Sequence, residues 1–381
     1  MQLERCLASG GGGADTSALD ALDVARRERR ERGVGKNGGP NGARKVGGVM
    51  RTQEELERAS PRNLRRWGLD SPEAYFACQE RRELEKRRLD AFVRDPSTSA
   101  DDKHHAAAVF HTTFGRAMYN CQKCWLLRGC CICPRLHTSR ISPHRVVVYL
   151  HHQEWGRGSS TGNLVDACLG GTLFVSGHRD HETALTELCE REKGKVAVLW
   201  PGDDAIDARD IGRRMRTTSR EAVNDDAVFG NGDGETNGAA RGYTFIAVDA
   251  TWNCARKMLR RLPPDVPLVS IPPEAFNPEY DASTTNPAIS APATPVTSLL
   301  APVRKYKGHP DGRCSTFEAV VALLRTLGHP RAECDALLDN VRLTVDAVKV
   351  QKSMAPVYDK VSRADDGETR SMEGAMRNLE V

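Results

Sequence analysis

The 381-residue sequence has no apolar run near the roughly 20 residues needed to cross a bilayer, so no membrane partner is expected. Its first residues, MQLERCLASGGGGADTSALD, lack a basic region followed by an apolar one, which argues against a secretory signal. Acidic residues appear early in it, which counts against an organellar transit peptide without excluding one. No G-x-G-x-x-G follows a strand pattern, and Walker A, G-x-S-x-G and H-E-x-x-H are absent. Their absence weakens oxidoreductase, NTPase, hydrolase and metalloprotease functions. Excess charge is lacking too: 55 Lys and Arg against 51 Asp and Glu leave a net +4, which alone does not argue for nucleic acid. Hydrophobic residues make up 39% of the chain and mean hydropathy is −0.51, so a good part of it lies outside a core.

Composition divides the chain. Residues 1–50 are rich in Gly and Arg with few large apolar groups, and are expected to be disordered. Residues 51–103 read as a charged helical extension, in which Ser71-Pro72 suits an N-cap and first helical position. Its Arg-rich face is either solvated or an RNA-facing arm. Residues 104–140 read as a helix plus a cysteine cluster. From 141 to 330 strand and helix patterns alternate: VVVYL, TLFVSG, KVAVLW, YTFIAV and LVSI are strand-like, with helical patterns between them. Polar or Pro/Ser/Thr-rich stretches at about 213–242 and 272–312 read as mobile insertions. Residues 331–381 read as a helix and a charged tail. This order predicts an α/β fold with a mainly parallel sheet covered on both faces.

Cys121-x2-Cys124-x6-Cys131-x-Cys133 offers four thiolates over 13 residues, a set that suits a tetrahedral structural Zn2+ with no position left for catalytic water. Cys130 gives an alternative pair with Cys133. The other reading is a set of buried free cysteines. A reducing, intracellular compartment fits this usage better than a secreted disulfide framework.

Strand ends carry the remaining chemistry. Asp249, Ala250, Thr251 and Trp252 follow the apolar run Phe245–Val248 and precede a helical pattern, at the sheet edge where open α/β sheets bind ligands. Thr251 is placed to cap that helix. Trp252 either stacks on a base or faces a ligand cation, or else closes the strand–helix junction as a core residue. His151, Glu154, Arg157, Ser160 and Thr161 lie in the loop after the first strand, suited to anion or ribose contacts or simply to an N-cap. Ser315 and Glu318 fit a capping box around Thr316. On the helix after Trp252, Ala255, Met258, Leu259 and Leu262 form an apolar face, and Arg256 and Lys257 lie on the basic one.

Together these landmarks resemble the DTW-domain family over roughly residues 117–330. The ordered series is the cysteine knuckle; His151-x-x-Glu154; Ser160-Thr161-Gly162; Leu199-Trp200-Pro201-Gly202; Asp249-x-Thr251-Trp252; Arg304-Lys305; and Ser315-Thr316-x-Glu318. There are departures: His152 stands where the family usually has Pro, Ser160 where it often has Asn, Cys254 where a Gln is common, and Ala250 where Gly is common. Gly there would permit a backbone geometry that Ala resists.

The resemblance implies a tRNA-uridine aminocarboxypropyltransferase. Such an enzyme moves the 3-amino-3-carboxypropyl group of S-adenosylmethionine to uridine N3, and its fold is similar to the knotted SPOUT-like methyltransferases. It assigns Asp249 as the general base or the group orienting N3–H, with Thr251 and Trp252 beside it. It gives Pro201, Gly202, Ser315, Thr316 and Glu318 to the donor. His151, Glu154, Arg157, Ser160, Thr161, Arg256, Lys257, Arg304 and Lys305 go to the tRNA.

Overall fold

The computed structural model describes residues 44–141, 143–202, 204–211, 242–277, 280, 297–304 and 314–360. The expectations for residues 1–43, 212–241, 281–296, 305–313 and 361–381 lie outside the described residues, and Lys305 is among these. The chain divides into two compact units, Met1–Phe110 and His111–Val381.

In the first unit, β1 (Arg44–Val46) and β2 (Val49–Arg51) form an antiparallel hairpin. It replaces the end of the segment expected to be disordered. Gly47 and Gly48 have φ of 55° and 79°, the left-handed pair that a tight two-residue hairpin turn requires. Three helices follow, α1 (Gln53–Arg58), α2 (Pro61–Trp67) and α3 (Pro72–Arg94). As anticipated, the Ser71 side chain caps α3 by accepting from the Ala74 N–H, with Pro72 in its first turn. Val46, Ala59, Leu64, Tyr75 and Phe76 form a small core of their own. Helix α4 (Ala100–Thr113) carries the chain into the second unit.

The second unit is built on a six-stranded sheet. Its strands are β3 (Arg145–His151), β4 (Thr172–Ser176), β5 (Val196–Leu199), β6 (Ile206–Asp207), β7 (Thr244–Asp249) and β8 (Leu268–Ser270), in the order β4-β3-β7-β5-β8-β6. Every neighbouring pair is parallel, in keeping with the alternating pattern. Among the described residues its longer helices are α5 (Gly162–Leu169), α6 (Arg179–Arg191), α7 (Trp252–Leu259), α8 (Thr316–Thr326) and α9 (Arg331–Gln351).

Strand alternation sends successive side chains to opposite faces. Val146, Val148 and Leu150 of β3 join Phe245 and Ala247 of β7 under Leu164, Val320, Leu324 and Val341, from α5, α8 and α9. Val147, Tyr149, Val198 and Ile246 pack on the other face against Leu185, Leu188 and Met258, from α6 and α7. The apolar face read for α7 is this contact. Each large apolar side chain so buried contributes roughly 1.5–3 kcal/mol. Two described parts of the second expected insertion are packed as well: Ala275 and Leu300 are fully buried. Among the described residues no helix is long and apolar enough to cross a membrane.

Candidate functional site

Asp249 is the last residue of β7 and is 4% exposed. Its Oδ2 accepts from the Ser160 hydroxyl at 2.5 Å and from the Gly162 N–H at 3.0 Å, and its Oδ1 accepts from the Thr316 hydroxyl at 3.0 Å. Ser160 and Gly162 lie at the start of α5, and Thr316 opens α8. One carboxylate therefore joins a strand end to the N-termini of two helices. Gly162 is needed for this, since a Cβ there would stand 2.5 Å from Asp249 Oδ2.

The start of α5 also caps the start of α8. Thr161, at the N-cap of α5, makes no side-chain bond to its own helix. Its Oγ1 accepts the N–H of Phe317, in the first turn of α8, at 3.2 Å. The capping box read at Ser315 and Glu318 is present. Glu318 goes further: Oε2 accepts from Ser298 Oγ (2.6 Å) and the Ser315 N–H (2.8 Å), while Oε1 accepts from the Leu299 N–H (2.8 Å). It clamps the 298–299 segment onto the start of α8, a non-local role that nothing in the sequence around Ser298 signals.

A second carboxylate sits nearby. Glu154 closes the short turn His152–Glu154 after β3 and is buried. Arg157 Nη1 donates to its Oε1 at 2.9 Å. Burial raises the Glu154 pKa above the usual carboxylate value, the Asp249 charge pushes the same way, and Arg157 and Arg304 oppose them. Arg304 Nη2 donates to the Ser159 carbonyl at 3.0 Å, which holds its guanidinium on the same loop. His151 stacks on His152, with ring centroids 4.3 Å apart, and its Nδ1 accepts from the Gln153 N–H.

The rest of the signature faces the other way. Thr251 occupies the N-cap of α7 with extended backbone, φ −66° and ψ 149°, but its side chain makes no capping bond. The expected cap is thus a matter of backbone, and the hydroxyl stays exposed. Trp252 is 52% exposed, which removes the reading of a core residue. Its ring meets Trp200 edge-on, with centroids 5.1 Å apart and planes at 64°. Trp200 follows β5, and the exposed Pro201 and Gly202 come next. A Cβ on Gly202 would meet nothing within 4 Å. Ala250 is not among the described residues with positive φ, so alanine carries no backbone strain there. Arg256 and Lys257 are exposed on α7, with Arg256 bonded to Asn253.

The Sγ atoms of Cys121, Cys124, Cys131 and Cys133 lie within 4.8 Å of one another. Separations of 3.5 Å (Cys131–Cys121), 3.6 Å (Cys121–Cys133) and 3.8 Å (Cys124–Cys131) match the edge of about 3.8 Å expected for four thiolates 2.3 Å from a tetrahedral zinc. Cys130 stands outside this group. The four cysteines fit a structural zinc, which would pin the knuckle where Cys124, Leu126 and Ile132 pack on Leu343, Ala347 and Val348 of α9.

The family model of the DTW domain matches residues 118–349, more than half of the chain. The chain belongs to the DTW-domain family. The DTW domain thus takes in the cysteine knuckle, the parallel sheet and nearly all of α9, which packs against both. No solved structure matches the chain.

Of the residues read from sequence, this DTW domain gathers Glu154, Arg157, Ser160, Thr161, Asp249, Arg304, Ser315, Thr316 and Glu318 into one bonded or charge-coupled group. Trp252 pairs with Trp200 instead, beside Pro201 and Gly202. Gly162, Ser298 and Trp200 are the site residues that sequence reasoning did not assign. Gly162 could have been found, because a glycine directly after Ser-Thr at a helix start is a local signal of close approach.

Proposed function

We propose that this DTW-domain protein transfers the 3-amino-3-carboxypropyl group of S-adenosylmethionine to N3 of a tRNA uridine, releasing methylthioadenosine. The observation that carries this reading is the convergence of Asp249, two helix N-termini and an exposed tryptophan at the C-terminal edge of a parallel sheet, in a family of tRNA-modifying enzymes. Helix starts favour anionic groups such as the donor carboxylate. Ser315 and Glu318 shape that end of the donor site through their mutual bonds, Thr316 through its bond to Asp249, and Pro201-Gly202 gives it an open backbone wall.

The donor sulfonium has several electrophilic carbons, so choosing the aminocarboxypropyl carbon over the methyl is a matter of alignment. Asp249, fixed by three donors, ties together the two helix starts that frame the uridine and so orients its N3–H. Trp252 and Trp200 offer an aromatic platform for a nucleobase. Thr251 lines the start of α7, and His151 the end of β3. Arg157, Arg256, Lys257, Arg304 and Lys305 approach the tRNA phosphates. We further read the fold as akin to the knotted SPOUT-like group. Support comes from the strand order, in which the late strand β7 lies between β3 and β5, with the start of α8 packed into the same edge.

The deciding experiment is mass spectrometry of nucleosides from tRNA incubated with the protein and the donor. A uridine gaining about 101 Da supports the transfer, by atom counting for this chemistry. A gain of about 14 Da would make the protein a methyltransferase. No gain, with tRNA and zinc still bound, would make it a silent RNA-binding protein.

A further inference from the structure

We infer that Glu154 is a catalytic residue of the proposed transfer: its carboxylate takes the N3 proton of the target uridine, and Asp249 holds the frame in which it does so. The inference rests on the transfer reading above.

Two carboxylates share this end of the sheet in opposite surroundings. Asp249 accepts from Ser160, Gly162 and Thr316, all within its own fold. Breaking those bonds to move a proton would loosen both helix starts. Among the described residues Glu154 receives only Arg157, through Oε1, which leaves Oε2 for a substrate N–H. The charged groups around Glu154 are Arg157, Arg304 and Asp249, with His152 beside it on the same turn. Burial and the Asp249 charge together increase its hold on a proton, which suits an acceptor for a weakly acidic N–H.

In the step, the N3–H bond breaks and the proton goes to a Glu154 oxygen. The N3 electron pair forms the bond to the aminocarboxypropyl carbon. The carbon–sulfur bond breaks with its pair passing to sulfur, so the cationic sulfonium leaves as a neutral thioether. The Glu154 proton returns to water past Arg157, whose side chain is 48% exposed.

The test uses the full chain carrying Glu154→Gln, with a tRNA transcript and labelled donor. The expected fall in kcat is about 10²–10⁴-fold, with the Kd of donor and of tRNA, read by calorimetry, within about threefold of the parent. The variant's rate should rise with pH as uridine ionises unaided. Independently of turnover, infrared titration of the protein alone should show a carboxyl band that the Gln variant lacks. An unchanged kcat and pH profile overturns the inference. Should the Gln variant fail to fold, Glu154→Asp withdraws the carboxylate by one methylene and keeps its charge; an unchanged kcat there overturns it equally. Parent protein that adds no mass to tRNA sinks the transfer reading itself, and this inference with it.

Discussion

Asp249→Ala removes the acceptor for three buried or half-buried donors: the hydroxyls of Ser160 and Thr316 and the N–H of Gly162. The hydroxyls can turn toward other acceptors. The Gly162 N–H cannot, because the backbone of α5 fixes it. A stranded buried donor costs about 1–3 kcal/mol, and a hydrogen bond to a charged group contributes about 1.5–3 kcal/mol. Relief from burying a carboxylate offsets part of this. Taking Gly162 in full and the hydroxyls at about half value gives a loss of about 3–5 kcal/mol, a large share of an ordinary domain stability of about 5–15 kcal/mol. Asp249→Asn should be far milder. With the amide oxygen toward Ser160 and Gly162, its NH2 faces Thr316, whose hydroxyl turns to accept. All three bonds survive without the charge, at a cost of about 1–2 kcal/mol. Urea unfolding of both variants at constant m value reads the difference. An alanine variant within about 1 kcal/mol of the parent would refute the view of Asp249 as the tie between the helices. An asparagine variant as unstable as the alanine one would refute the orientation argument. The folded asparagine variant also tests chemistry: full transfer by it excludes Asp249 as the proton acceptor.

Gly162→Ala should destabilise the DTW domain by about 1–3 kcal/mol, because the new Cβ meets Asp249 Oδ2 at 2.5 Å and Val148 Cγ1 at 3.1 Å; a thermal midpoint equal to the parent's would contradict this. Purified protein should carry one zinc per chain by elemental analysis, and Cys124→Ser should lose it and lower the thermal midpoint by freeing the knuckle from α9. Trp252→Ala should weaken tRNA binding by about 1–3 kcal/mol, the usual worth of a stacked base, while Trp252→Phe keeps most of it; equal binding by all three proteins in a filter assay would exclude stacking. Burial and the neighbouring His329 lower the His144 pKa to about 4. The folded state therefore resists a proton that the unfolded chain takes up near 6.5, and stability should fall as pH drops from about 6.5 toward 4. His144→Gln should flatten urea midpoints across that window, and an unflattened curve would assign the loss to other groups.

Strands and helices of the DTW domain were legible because their periods are. The runs at 146–150 and 243–248 read as buried strands and fall on β3 and β7, and β4, α6 and α9 fall close to their expected places. The two-residue β6 was not legible, since it pairs only through β8 and is too short to carry a period. Nor could the hairpin at 44–51 be foreseen from a Gly-rich composition, because its stability comes from the pocket that takes Val46. At the site, sequence named the participants but not their partners. Glu318 was legible as a local cap, because that bond spans three residues. Its clamp on Ser298 was not, because that bond depends on how the intervening chain returns.

Alternation at the end of β7 accounts for the spacing of the signature itself. Leu150 and its register partner Asp249 belong to the face covered by α5 and α8, where Asp249 finds Ser160 and Thr316. Val248, Ala250 and Trp200 pack on the face covered by α6 and α7. Trp252 opens α7 and meets Trp200 there. The four-residue signature therefore straddles the sheet edge, with a fixed carboxylate on one side and an exposed aromatic ring on the other. A ligand touching both must lie across the strand ends. Under the transfer proposed above, that placement gives a uridine its orientation from the Asp249 side and its stacking from the Trp252 side. On the Asp249 side, Glu154 stands within the influence of the Asp249 charge as the proposed proton acceptor.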